Sequence, residues 1–495
     1  MALQAVHACA LAKYAIEKKE KFKNNLKHLK TKIMATDWND DAKSAVTTGL
    51  GMIPEVGSIL SCLVGIFWPS SKEDVWGEIK TQVEALVNQA ISDNNYQLVS
   101  DSLEGLNNDL TDYVNAANSG DETVTGESWI TAKMTFDKAL PDFQMKGYQL
   151  LLSPLFAQFA NMYLSLLRDG VAFGKSWGWN DNFLQQTASD LTNSITSFIS
   201  YANDTYNTGY DNIVKNTKAD YHACQPFKAV NTFTREFTLS LLDYMNMWAY
   251  FDVTKYPNGT NVLLTREIYT DPMGTCDDSG NITIPSAPTQ RPTGLTVWGG
   301  DRIDAVQLTY PQGAGPGGVT QTPRMGDQDG GSNQSPHGGV FNIDVENPVI
   351  QARATYGSIV NCLQFLFNDG TTTDMFGGSA GWGSNDSGLM GYLWQFVSSV
   401  HINGVSDFYG CADCVVFGFQ YWQPPEATLS GIRALYVASP IERSADEFAK
   451  FFPKVQIPDD FITEDLQAKR KAYWDYMKQK SKVEKIAKIS EAVVA

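Results

Sequence analysis

Between residues 37 and 250 apolar side chains recur every three or four positions, the period of helices that bury one face. Residues 45–67 are mostly apolar but broken by Gly49, Gly51, Pro54, Gly57 and Gly65, which predicts a bent or split helix. Trp68-Pro69 ends it, because the residue before proline is pushed out of the helical region. Ser71 is then expected to cap a long helix whose apolar faces include Val75, Ile79, Val83, Leu86 and Ile91. Gly126 reads as the break before a helix over 127–140, where Trp129, Ile130, Met134 and Phe136 alternate with Lys133, Asp137 and Lys138. Helical patterns resume over 182–216 and 227–251.

The stretch from Gly147 to Leu167 differs, since none of its 21 positions is charged. As a helix it would be about 32 Å long, close to the thickness of bilayer hydrocarbon. Yet Gln149, Ser153, Gln158, Asn161 and Ser165 interrupt it, more polar groups than a permanent membrane span carries. The pattern fits the central helix of a bundle, apolar all round because it is buried all round. The two readings meet if the bundle later opens in a membrane.

Beyond Thr275 the period shortens. Pro, Gly, Ser and Thr cluster at 279–300 and 311–339, and Gly-rich turns part β-branched and aromatic runs at 303–310, 340–343, 359–367, 393–402 and 414–421. That spacing predicts an all-β domain. After Pro440 the chain turns helical and charged again, through Phe448, Phe451, Tyr473, Trp474 and Tyr476.

Charge narrows the partners. The chain of 495 residues carries a net charge of −17, which argues against nucleic acid. Residues 1–36 form a basic helical arm, with eight lysines against two glutamates in the first 32 positions. Lysines in such an arm invite cleavage by a trypsin-like protease, and the arm reads as a removable pro-segment or an oligomerisation element. The start of the chain lacks the basic, apolar and cleavable pattern of a signal peptide. Seven scattered cysteines do not read as a disulfide framework.

Chemistry is sparse. Gly377-Gly378-Ser379-Ala380-Gly381 fits a hydrolase nucleophile pattern, but Trp382-Gly383-Ser384-Asn385 follows as loop, and His401 is the single histidine after it. Gly313 to Gly318 matches a dinucleotide-binding pattern by letter but holds Pro316 and opens no helix. Cys411 and Cys414 make one Cys-x-x-Cys pair with no second pair, so even with His401 and Cys362 they read as buried strand thiols rather than a zinc site. No catalytic residue, cofactor or metal is expected, and the chain is not read as an enzyme.

Lys255 to Pro272 reads Lys-Tyr-Pro-Asn-Gly-Thr-Asn-Val-Leu-Leu-Thr-Arg-Glu-Ile-Tyr-Thr-Asp-Pro, at the border of the helical and β-rich halves. It resembles the junction of insecticidal delta-endotoxins, where a pore-forming helical bundle hands over to receptor-binding sheets. Further segments resemble that family in the same order. Phe67-Trp68-Pro69 with 83–91 looks like its second and third helices. The run from Pro154 to Asn161, continuing through Leu166-Leu167-Arg168-Asp169, looks like its central fifth. Tyr206-Asn207-Thr208-Gly209 matches the end of the sixth, and Phe233 to Leu239 with Leu242-Asp243 the seventh.

The resemblance implies a seven-helix pore-forming bundle over 37–255 and a junction over 256–275, with Arg168, Asp169, Arg235, Arg266, Glu267 and Asp271 as bundle and junction motif residues. It also implies insertion of a hairpin of the fourth and fifth helices. That hairpin maps to about 127–168 with its turn near 141–147. Trp129, Met134, Phe136, Leu155, Phe156, Phe159, Leu166 and Leu167 would enter the membrane, while Lys133, Asp137 and Asp142 suit a wet lumen.

Only about 165 residues separate the junction from the tail, room for one β domain over 276–440. Trp298-Gly299-Gly300, His337-Gly338-Gly339, Phe376-Gly377-Gly378 and the Gly404 region resemble a jacalin-type β-prism lectin, and the two-domain arrangement resembles PirB-type insecticidal toxins. By that resemblance a glycan would sit at Gly404, Phe408, Tyr409 and Asp413, although the spacing to Asp413 is longer than in the lectins. The tail over 441–495 is expected to be a pro-segment or oligomerisation element.

The function implied is a pore-forming toxin, made in the cytoplasm as a crystal- or spore-associated protoxin and activated by proteolysis. Its partners would be a host membrane, a cell-surface receptor or glycan, copies of itself in the membrane and a second toxin component. The alternative is a lectin, or the receptor-binding component of a binary toxin without pore activity of its own.

Overall fold

The computed structural model describes residues 39–421, except 40–41, 44, 48, 51–55, 69–74, 88, 261, 263, 277–279, 346, 379–384, 393–394 and 407–409. The basic arm, the charged tail, Ser71, Ser379, Phe408 and Tyr409 therefore lie outside the described residues. The chain forms two compact units. One holds the described residues up to Thr205 together with Leu239–Thr260, and the other holds Tyr206–Thr238 and the described residues from 262 on.

The first unit is helical. Its labelled helices are α1 (Ser58–Phe67), α2 (Val75–Val87), α3 (Asp93–Ser119), α4 (Glu122–Phe143), α5 (Gln149–Phe173) and the first part of α6 (Asp181–Asn216). Helical residues between 39 and 50 precede them. The helix expected to run from Ser71 past Ile91 ends at Val87, and Ile91 is buried in the connection to α3. The Ser92 hydroxyl opens α3 by accepting from the Asn95 amide (3.4 Å). Gly120, with φ of 75°, closes it.

The next residue starts α4. The Asp121 carboxylate accepts from the amides of Thr123 (3.0 Å) and Val124 (3.1 Å), satisfying two orphan donors of the first turn. The helix break thus falls at Gly120-Asp121 and not at Gly126, which lies inside α4. Gly126 is small for a packing reason. A β-carbon there would meet Trp177 at 3.1 Å and the Trp179 indole nitrogen at 3.2 Å.

Along α4, Trp129, Ala132, Phe136, Ala139 and Phe143 are buried at three- and four-residue spacing. This stripe faces α5, with Phe136 and Phe143 against Phe159 at centroid distances of 5.1 and 4.7 Å. Gly147 (φ of 87°) lies in the turn before α5. Pro154 sits inside α5 and has no amide to offer the Leu150 carbonyl. The Ser153 hydroxyl donates to that carbonyl instead (2.9 Å).

The second unit contains α7 (Phe227–Phe237), which runs on through a π turn (Thr238–Leu242) into α8 (Asp243–Trp248) of the first unit. The strands are β1 (Glu267–Tyr269), β2 (Met273–Gly274), β3 (Gly294–Gly299), β4 (Ile303–Thr309), β5 (Met325–Gly326), β6 (Gly339–Asn342), β7 (Val349–Tyr356), β8 (Val360–Phe367), β9 (Phe376–Gly377), β10 (Asn385–Asp386), β11 (Gln395–Val405) and β12 (Ala412–Tyr421). They make three four-stranded antiparallel sheets. One has the order β1-β12-β11 with β2 also on β12, the second β10-β7-β8-β9 and the third β5-β4-β3-β6.

Leu308 from the third sheet, Leu363 and Phe365 from the second, and Val416, Phe417 and Phe419 from the first are all buried. Phe365 meets Phe417 edge-on at 6.1 Å, and the Tyr310 hydroxyl donates to the Ser398 carbonyl (2.7 Å). Three sheets sharing a core in this way form a β-prism. β3 and β7 are additions to the expected strands; β3 hides in a turn-rich stretch, and β7 mixes Gln351 and Arg353 among its apolar residues. β1 and β2 belong to the first sheet, so the prism begins inside the stretch read as the junction.

Candidate functional site

The 25-residue helix α5 is the feature the bundle is built around. It would span about 37 Å. Among the described residues it is the one helix long and apolar enough to cross a bilayer by length and composition. Every residue from Leu151 to Gly170 is buried. Of the residues assigned to a membrane-entering hairpin, Trp129, Phe136, Leu155, Phe156, Phe159, Leu166 and Leu167 are all buried, whereas Met134 on α4 is 53% exposed.

The apolar side of α5 is aromatic. Phe156 and Phe159 stack on each other, and Phe198 of α6 meets them at 5.3 and 6.3 Å. Trp129 of α4 lies so close to the backbone of Gly170 that a β-carbon there would stand 2.5 Å from its ring. Its indole N–H donates to the Leu166 carbonyl (2.6 Å).

The polar residues of α5 share one stripe, at 158, 161, 165 and 168–169. The Asn161 amide donates to Gln158 Oε1 (3.0 Å), and the Trp248 indole N–H donates to Asn161 Oδ1 (2.9 Å). Gln158 donates to Asn39 Oδ1 (3.3 Å), and the Ser165 hydroxyl to the Asn161 carbonyl (2.6 Å). At the end of the stripe Asp169 accepts from the Tyr113 hydroxyl of α3 (2.8 Å) and the Gly57 amide (2.9 Å). Burial pushes the Asp169 carboxyl up to about 6, against the opposing pull of Tyr113, Arg168 and Gly57. Beside it, burial pushes the Arg168 guanidinium down. Gln158, Asn161 and Asp169 thus cross-link α5 to other segments, a role that helical period alone does not reveal.

The charged side of α4 is also engaged. Lys133 pairs with Asp137 (2.9 Å) and with Asp190 of α6 (3.2 Å). Tyr163 of α5 donates to Asp137, and Ser102 of α3 to Asp142. The Lys133 ion pairs are partly exposed and stabilise the bundle weakly.

The remaining motif residues gather in the second unit. Arg235 of α7 donates to Asp271 Oδ1 (2.8 Å) and to the Tyr269 carbonyl (2.9 Å), while Thr232 donates to Asp271 (2.8 Å). Arg266 donates to Gln395 Oε1 (3.1 Å) and stacks on Tyr421 at 4.4 Å. Glu267 accepts from Tyr269 (2.7 Å), Ser399 (2.5 Å) and Ser398, and burial raises its carboxyl. Arg235, Arg266, Glu267 and Asp271 therefore fasten the junction to α7 and the first sheet. Arg168 and Asp169 lie in the bundle.

At the β11–β12 hairpin, Gly404 (φ of 82°) faces Asp413, where a β-carbon would stand 2.8 Å from the carboxylate. The expected aromatic partners Phe408 and Tyr409 are outside the described residues. His401 is a core residue, with Nε2 2.9 Å from the Ser399 hydroxyl, and burial pushes it down to about 4. The cysteines correct the sequence reading. Cys224 and Cys276 form a disulfide across a separation of 52 residues, a pairing that depends on the turn after α6 meeting the end of the junction. Cys362, Cys411 and Cys414 are buried free thiols.

Residues 45–252 match the family model of the delta endotoxin N-terminal domain. The chain is 31% identical over 252 residues to pesticidal crystal protein Cry1Id of Bacillus thuringiensis, covering 47% of this chain and 34% of that protein. It is 30% identical over 254 residues to pesticidal crystal protein Cry26Aa of Bacillus thuringiensis subsp. finitimus, covering 47% and 21%. The chain thus spans about a third or less of the length of these relatives. Among solved structures, insecticidal delta-endotoxin Cry8Ea1 from Bacillus thuringiensis aligns with a TM-score of 0.63 at 22% identity, over 78% of this chain and 74% of that one. PirB aligns with a TM-score of 0.63 at 14% identity, over 78% and 96%. These likenesses give the shared fold.

Proposed function

We propose that this chain, whose residues 45–252 match the delta-endotoxin N-terminal domain, is a pore-forming toxin of the insecticidal type. The observation that carries the reading is α5, a membrane-length apolar helix wrapped on all sides and hairpinned to α4. In water its apolar surface is stabilised by burial, at roughly 1.5–3 kcal/mol for each large side chain. A bilayer supplies the same stabilisation without the surrounding helices. Transfer of the α4–α5 hairpin thus costs mainly the polar contacts of the stripe and of the α4 side. Those polar groups, Lys133, Asp137 and Asp142 among them, would face a water-filled lumen built from several copies.

In this reading the prism carries the receptor contact, and the Gly404–Asp413 hairpin is its candidate glycan site. The flanking segments 1–36 and 441–495 are candidates for proteolytic removal or assembly. Dye release from lipid vesicles, before and after trypsin, is the direct test. Release that depends on the folded chain is expected, and intact folded protein that releases no dye under either condition would overturn the proposal.

A binding component without pore activity is the second reading, favoured by the completeness with which α5 is covered. Glycan-array binding together with silent vesicles would support it.

A further inference from the structure

The disulfide has a third sulfur beside it. The Sγ atoms of Cys224, Cys276 and Cys414 all lie within 4.8 Å of one another. The three residues are buried in one small apolar cluster with Ile282 and Val416. Their backbones are held differently. Cys276 follows β2, which pairs with β12 at Gly274↔Cys414 and Met273↔Val415. Strand pairing therefore keeps Cys276 and Cys414 together whether or not a disulfide is present. Cys224 stands in the turn after α6 with φ of 51°, the left-handed region that a residue with a β-carbon enters at a cost. Its link to Cys276 is a covalent tie between that turn and the junction.

We propose that the three sulfurs form an internal disulfide relay, in which Cys414 takes over Cys276 and sets Cys224 free. The Cys414 thiolate attacks Cys276 Sγ, the Cys224–Cys276 bond breaks, and Cys224 leaves as a thiolate that takes up the proton Cys414 gave up. One disulfide and one thiol stand on each side, so no oxidant or reductant is consumed. The product staples the junction to β12 inside the first sheet. The turn between α6 and α7 loses its covalent tether.

Burial pushes the Cys414 thiol up to about 12, and Asp413 adds to the rise. Tyr356 and Tyr269 also face the cluster. At neutral pH the attacking thiolate is scarce, so the exchange is slow. Below that value each pH unit gained raises the thiolate fraction about tenfold.

Disulfide mapping of the full chain tests the relay. Protein held at pH 8 or pH 10 is quenched in acid, its thiols are alkylated in denaturant, and linked peptides are identified by mass spectrometry without reduction. Cys224–Cys276 with alkylated Cys414 is expected at the start. Cys276–Cys414 with alkylated Cys224 is expected to accumulate, about a hundredfold faster at the higher pH. Cys414→Ala abolishes the exchange, and Cys224→Ser oxidised with glutathione disulfide forms a Cys276–Cys414 pair, the glutathione taking up the two electrons. The proposal is overturned if folded protein keeps Cys414 as the alkylated member at both pH values, if all three are free thiols, or if Cys224→Ser so oxidised leaves Cys276 and Cys414 unlinked. Vesicle leakage plays no part in this readout, so failure of the pore reading and failure of the relay are separately visible.

Discussion

The bundle and the prism both bury polar groups but secure them in opposite ways. In the bundle the stripe on α5 finds its partners on other segments, at Asn39, Trp248, Tyr113 and Gly57. Each of those bonds is lost if the helices separate. In the prism Glu267 is satisfied by Tyr269 on its own strand and by Ser398 and Ser399 on β11, all in one sheet. A disulfide adds a covalent tie within the same unit. The longest-range bonds of the α5 stripe thus join separate segments of the bundle, whereas those of Glu267 join strands of one sheet.

The largest effect that can break the comparison comes from the α5 aromatic core. Phe159→Ala should destabilise the bundle by about 3–5 kcal/mol through lost burial and the cavity left behind. Denaturant unfolding followed by separate bundle and prism probes should show the shift in the bundle alone. An equal shift in the prism would mean that the two halves do not unfold as separate units.

A second, somewhat smaller effect concerns the prism unit. Replacing both Cys224 and Cys276 by serine should lower its stability by about 2–4 kcal/mol, since closing a loop of this length restrains the unfolded chain. Thermal unfolding of the variant against the oxidised wild type measures it. An unchanged midpoint would mean that the hydrogen bonds of Arg235 and Asn231 to the junction suffice.

The third effect sharpens the electrostatic side. Asp169 titrates at about 6 in the fold, above its ordinary 3.8. Between those values the folded state holds a proton that the unfolded chain releases, so this group makes the bundle more stable as pH falls from 7 to 4. The gain is on the order of 2–3 kcal/mol. Asp169→Asn should remove that part of the pH dependence, read as the difference between wild-type and variant unfolding curves across the range. Parallel curves would show that the carboxyl titrates as it does in the unfolded chain.

Much of the helical half was legible in the sequence. The expected helices over 182–216 and 227–251 match α6 and the run from α7 onward, because long amphipathic periods and tertiary packing agree there. The start of α4 was misplaced because Gly126 looks like a breaker, while Gly120 followed by the Asp121 cap supplies the actual stop and start. In the β half the runs that became β4, β8 and β12 stood out by their apolar content. β7 did not, since Gln351 and Arg353 dilute its pattern. Of the candidate site, the uncharged length of α5 was visible and the partners of its polar groups were not.

By itself the sequence determined what many segments want locally: which faces are apolar, and that one helix is uncharged over a bilayer's thickness. Those are short-range properties, set by side-chain chemistry and backbone preference within a few residues. Only the tertiary structure decided which groups meet across long separations. Asn161 reaches Trp248, Tyr113 reaches Asp169, and Cys224 lies beside both Cys276 and Cys414. Periodicity carries no record of such pairings, because each depends on how whole elements pack rather than on the residues that flank it.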